Sequence, residues 1–138
     1  MNSLEILQVI QILQVATIGV YAADQIPKTW TRPAAIVVTT DDHTQLGSHW
    51  IGIHIDGTGR GTYFDSYGVP PFIPQHLHRL RRNSSLYRWN TKQLQSTSSD
   101  VCGQFCVMFL PHMCNGDTLR HFIDPDSKQG GRCVLNTK

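Results

Sequence analysis

The chain has 138 residues, room for one domain built on one core. Its 40% apolar and 16% charged content exclude a disordered chain, and a formal charge of +2 is too small to imply nucleic-acid binding from net charge alone. All four cysteines fall from residue 102 onward, and Cys102 and Cys106 are one helical turn apart, a poor disulfide geometry, so a reducing compartment rather than secretion is expected.

Residues 4 to about 18 are rich in aliphatics and predict an amphipathic opening helix with Gly19 as its stop. The competing reading is a signal peptide ending near Ala22-Ala23. Against it, Glu5, Gln8, Gln11 and Gln14 interrupt the apolar run, and no Lys or Arg precedes Lys28. The same polar breaks argue against a membrane span. Residues 19–33 read as a loop, and the β-branched run 34–40 as a buried strand.

In 49–56, Ile51, Ile53 and Ile55 share one face and Trp50, Gly52 and His54 the other, which is a strand pattern. After a Gly-rich turn, residues 62–68 form the second strand of a hairpin. A short basic helix is predicted over 75–86 and a weak third strand over 87–95. Apolar residues at 102, 105, 106, 109, 110 and 113 make a helical stripe, and the tail from about 121 reads as loop. Helix, strands and helix in this order predict an α+β domain over residues 1–138.

Ser98, Ser99 and Asp100 are good N-caps and place Cys102 in the first turn of its helix. There the unpaired N–H groups and the helix dipole favour a thiolate. Gly103 leaves room for a substrate backbone. A reactive thiol needs a base and the base an orienting group. His49 on one hairpin strand and Asp65 on the next are the candidates. Their register stays open, because a turn at Asp56-Gly57 puts His49 opposite Phe64, whereas one at Thr58-Gly59 moves it about three residues out of step with Asp65. The Cys102 N–H is one oxyanion donor, and Gln95 is the candidate for the other, with Gln93 and Gln104 as rivals. A packing role for Cys102 is the plain alternative.

His49-Trp50, then Phe64-Asp65-Ser66-Tyr67-Gly68, then Gln95, six residues and Cys102-Gly103-Gln104-Phe105-Cys106 make up a pattern. It resembles the adenovirus maturation protease (adenain) family and its relatives in the ubiquitin-like-protease clan, over roughly residues 4–115. The resemblance implies a papain-like core with a central mixed sheet and the nucleophile at a helix N-terminus. It makes Cys102 the nucleophile, His49 the general base, Asp65 the orienter and Gln95 the oxyanion donor, with Trp50 and Gly103 against the substrate. The spacing from Gln95 to Cys102 favours the adenain branch, whereas an Asp at position 65 is more usual among the SUMO-type enzymes.

The implied activity is a thiol endopeptidase cutting after small, Gly-type residues in viral or virus-like-element capsid precursors, acting as a monomer in the host nucleus, the virion or the cytoplasm. The alternative is a deconjugase for ubiquitin-like modifiers. No cofactor is required, although DNA is a candidate one, with Arg79, Arg81 and Arg82 as its contacts; a solvated helix face is the plain reading of the same residues. The cofactor-peptide cysteine of that family has no counterpart before Cys102, and its C-terminal helical part is missing after about residue 115. No metal is expected; a zinc module of Cys102, Cys106, His112 and Cys114 is the weakest alternative, since no second cysteine pair has finger spacing.

Overall fold

A computed structural model of the chain describes residues 2–41, 49–94 and 102–124. Its elements run α1 (Ser3–Ile10), β1 (Thr17–Tyr21), β2 (Ala34–Thr39), β3 (Trp50–Ile55), β4 (Arg60–Phe64), α2 (Pro74–Asn83), β5 (Leu86–Trp89), α3 (Cys102–Cys114) and α4 (Leu119–Ile123). The strands form one mixed sheet in sequence order. The outer pairs β1–β2 and β4–β5 are parallel, and the inner pairs β2–β3 and β3–β4 are antiparallel. The architecture is α+β, as the element order predicts.

The long opening helix is the main departure. α1 ends at Ile10, its start fixed by a capping box between Asn2 and Glu5. Residues 17–21 are instead a strand paired in parallel with β2, so Gly19 lies inside β1 rather than stopping a helix. Thr17, Ile18, Val20 and Tyr21 are β-branched or aromatic, and pairing against the buried β2 outweighs the helical spacing of the run. The tail departs too, since Leu119–Ile123 is a short helix capped by Thr118. The weak third strand is shorter than predicted, Leu86–Trp89, since residues 90–94 are not strand; Gln95 and the caps at 98–100 lie outside the described residues.

The sheet has two apolar faces. Ile51, Ile53 and Ile55 of β3 pack with Ile36, Val38, Tyr63 and Leu80 of α2. On the other face Val37, Trp50 and Phe64 pack against Ile6 and Ile10 of α1, Cys106, Phe109 and Leu110 of α3, and Leu119 and Ile123 of α4. The period-2 pattern of β3 therefore sorts its side chains as the sequence predicts. At Gly52 a β-carbon would stand 2.9 Å from Phe109 Cδ2. The absence of a side chain there lets α3 lie close on β3, which is what carries Cys102 to the start of that strand. No described helix is long and apolar enough to cross a membrane.

Candidate active site

The hairpin register decides which residues face Cys102. Asp56 accepts the backbone N–H groups of Thr58 and Arg60 and the Thr58 hydroxyl, and Gly59 supplies a positive φ of 97°. This turn pairs Gly52 with Phe64 and Ile55 with Gly61. The strands are thus close to the later of the two registers open from sequence. Continued past the ladder, that pairing brings His49 level with Tyr67, and the two rings stack at 4.3 Å with 8° between their planes.

Asp65 lies two residues before Tyr67 and reaches back to the same imidazole. His49 Nε2 stands 2.7 Å from Asp65 Oδ1, a hydrogen bond between groups that are both buried. The same oxygen accepts the Tyr67 N–H at 2.8 Å. Gly68, at a φ of 77°, closes the turn by donating its N–H to the Asp65 carbonyl at 2.8 Å. Asn90, just after β5, fixes the backbone of Asp65. Its Oδ1 accepts the Asp65 N–H at 3.0 Å and its Nδ2 donates to the Asp65 carbonyl at 2.6 Å.

Cys102 begins α3, is only 4% exposed, and its sulfur accepts the Trp50 N–H at 3.3 Å. Trp50 thus borders the thiol through its backbone while its indole is buried in the core. Burial opposes charge on Cys102, but the bond to His49 and the N–H groups of Trp50 and Gly103 outweigh it and lower the thiol below its usual value. Burial likewise opposes charge on His49, yet Asp65 and Cys102 together raise it to about 9. Nδ1 is the ring nitrogen that Asp65 leaves over, and it completes no hydrogen bond of strict geometry. It is the nitrogen free to exchange a proton with sulfur, and such contacts commonly tighten only when substrate binds.

The other described cysteines behave oppositely. Burial raises the thiols of Cys106 and Cys114, so they are unreactive by comparison. Cys102, Cys106 and Cys114 are all free. Gln95, the predicted oxyanion donor, lies outside the described residues. Arg79, Arg81 and Arg82 sit on α2, which packs on the sheet face away from Cys102. Arg79 is half-buried and donates to the Ile26 carbonyl, whereas Arg81 and Arg82 are exposed, Arg82 donating to the Thr29 hydroxyl. His76 of the same basic segment is buried and bonded to the Thr39 carbonyl at 2.8 Å, its charge disfavoured by burial. Nothing local in the sequence marks Asn90, and Tyr67 lies in the Phe64–Gly68 segment, where only the register reveals its stack.

This arrangement joins an acidified thiol, an imidazole with a raised pKa and a buried carboxylate. No family model matches the chain. The chain is similar to a protein of Acanthamoeba polyphaga mimivirus that is provisionally named a thiol protease. The two are 26% identical over 99 residues, which is 64% of this chain and 32% of that protein. Among solved structures, the crystal structure of an ASFV protease overlaps 66% of this chain and 36% of its own, with 22% identity and a TM-score of 0.49. The chain therefore spans about a third of the length of each of these two proteins.

Proposed function

We propose that the chain is the core of a cysteine endopeptidase. The observation that carries this reading is the single imidazole of His49, bonded to Asp65 on one side and interacting with the acidified Cys102 thiol. The similarity to a mimivirus protein named for thiol-protease activity points the same way.

Cys102 and His49 rest as a thiolate–imidazolium pair, held in orientation by Asp65 and the Tyr67 stack. The thiolate attacks a peptide carbonyl. The Cys102 N–H and the Gln95 amide hold the oxyanion. The imidazolium gives its proton to the leaving amine, which departs, and water then hydrolyses the thioester. Small Gly-type residues precede the cut bond, and capsid precursors of a virus or virus-like element are the substrates. Site residues, substrate class, a monomeric state and a virion, nuclear or cytoplasmic setting all belong to this proposal. DNA as a cofactor would meet the exposed Arg81 and Arg82 on α2.

The test is cleavage of Gly-Gly-type peptides together with labelling by iodoacetamide. Cys102→Ala abolishes cleavage and the fast labelling near neutral pH, and Gln95→Ala slows cleavage about 100-fold while leaving that labelling intact. Full cleavage by the Cys102→Ala protein overturns the assignment. Reaction with ubiquitin-like probes in place of Gly-Gly peptides makes the enzyme a deconjugase instead.

A further inference from the structure

Away from Cys102, a second group of side chains meets where α3 turns into α4. His112 is on the last turns of α3, Asp117 in the connection, and His121 on α4. One ligand-type atom from each lies within 4.8 Å of the other two. Sequence spacing paired His112 with Cys102, Cys106 and Cys114. Among the described residues the fold does not bring those four together as a metal-binding group. Cys102 and Cys106 lie up to ten residues back along α3, roughly 15 Å at the helical rise.

The hydrogen bonding of His112 sets its chemistry. Its Nε2 stands 2.9 Å from the Thr118 carbonyl, which can only accept, so Nε2 carries the ring proton. Nδ1, the nitrogen left for a metal once its ring is neutral, stands 3.5 Å from Asp117 Oδ2. A carbonyl holding the far N–H of a histidine is the usual support behind a metal-binding imidazole. In a tetrahedral zinc site with bonds of about 2.1 Å, neighbouring ligand atoms are about 3.4 Å apart. The His112–Asp117 pair already has that spacing, and rotation of the His121 ring, which is partly exposed, closes the rest.

We propose that His112, Asp117 and His121 bind one borderline divalent cation of the zinc class, with water as the remaining ligand. Two imidazoles and a carboxylate favour such ions over magnesium or calcium. The site is a clasp. At five residues α4 is too short to hold its own helix, and its Phe122 ring packs edge-on against Phe64 at 5.4 Å and Phe109 at 5.8 Å. Pinning α4 to α3 secures this packing beside the strand that leads into Asp65. The proposal does not depend on proteolytic activity.

The test uses the full chain carrying Cys102→Ala, which removes the reactive thiol as a competing zinc ligand. Titration with zinc chloride by calorimetry and native mass spectrometry gives one bound ion per chain and a raised Tm. Asp117→Asn and His121→Ala each weaken binding at least tenfold and remove the zinc-dependent rise, with little change in Tm without metal. Cobalt substitution reports the ligands directly. No stoichiometric binding, binding unchanged in both variants, or a thiolate-to-cobalt absorption that persists in both variants overturns the proposal.

Discussion

Replacing Asp65 by Asn tests whether the carboxylate's charge, rather than its shape, prepares the thiol. The amide oxygen can still accept from both His49 Nε2 and the Tyr67 N–H, so the turn is preserved. His49 is raised from 6.5 to about 9. At 1.36 kcal/mol for each pH unit, that is a net of about 3 kcal/mol favouring the imidazolium, supplied by Asp65 and Cys102 against the opposing effect of burial and discounted for solvent at the site's rim. If Asp65 supplies half or more, the thiolate–imidazolium pair loses about 10- to 100-fold in population near neutral pH. The pair titrates as a unit, so the assay follows both partners. The rate of Cys102 alkylation by iodoacetamide is measured from pH 4 to 10, alongside the imidazole resonances of His49. The original protein reacts below the usual thiol range of about 8.5, and the Asp65→Asn protein shifts toward that range. Superimposable alkylation profiles for the two proteins would refute an electrostatic role for Asp65.

Asn90→Ala leaves the buried N–H and carbonyl of Asp65 without their partner. It lowers stability by about 2–4 kcal/mol in urea unfolding, and it slows peptide cleavage as Asp65 loses its aim. Gly52→Ala pushes a methyl group onto Phe109 and costs about 1–3 kcal/mol, part of which Phe109→Leu in the same protein recovers; additive losses would show that α3 does not rest on Gly52. The pH dependence of stability separates the two partners. A protonated His49 stabilises the fold fully below its unfolded value of 6.5, and that contribution is lost as pH rises through about 9. The lowered Cys102 thiol has the opposite slope, being lost as pH falls through its folded value. In the original protein the two slopes oppose each other and partly cancel. Cys102→Ser leaves Asp65 alone to raise His49, so stability falls from pH 6.5 upward over a narrower window, by at most about 1.36 kcal/mol per pH unit. A flat profile for the serine protein would mean that His49 is not held charged.

Local patterning made much of the framework readable. The alternation of Ile51, Ile53 and Ile55 with Trp50, Gly52 and His54 depends only on the twofold repeat of a strand, and both faces lie where that repeat puts them. The apolar stripe from Cys102 to Met113 fixed α3 through the 3.6-residue repeat, with helix bounds that match. The order of His49, Asp65 and Cys102 along the chain was enough to nominate them as partners, since thiol, imidazole and carboxylate have complementary chemistry.

What tertiary structure decided was everything set by pairing at a distance. Residues 17–21 have a spacing that suits a helix, but an available edge beside β2 makes them a strand. The hairpin register turned on how Asp56 gathers the N–H groups around its turn, and that register alone brings Tyr67 onto His49. Asn90 and the His112–Asp117–His121 group carry no local signature, because their partners come from other elements or from across a turn between helices. A repeat of two or 3.6 residues records which way a side chain points, whereas the residue it meets depends on how separate segments pack, and no short stretch of sequence encodes that.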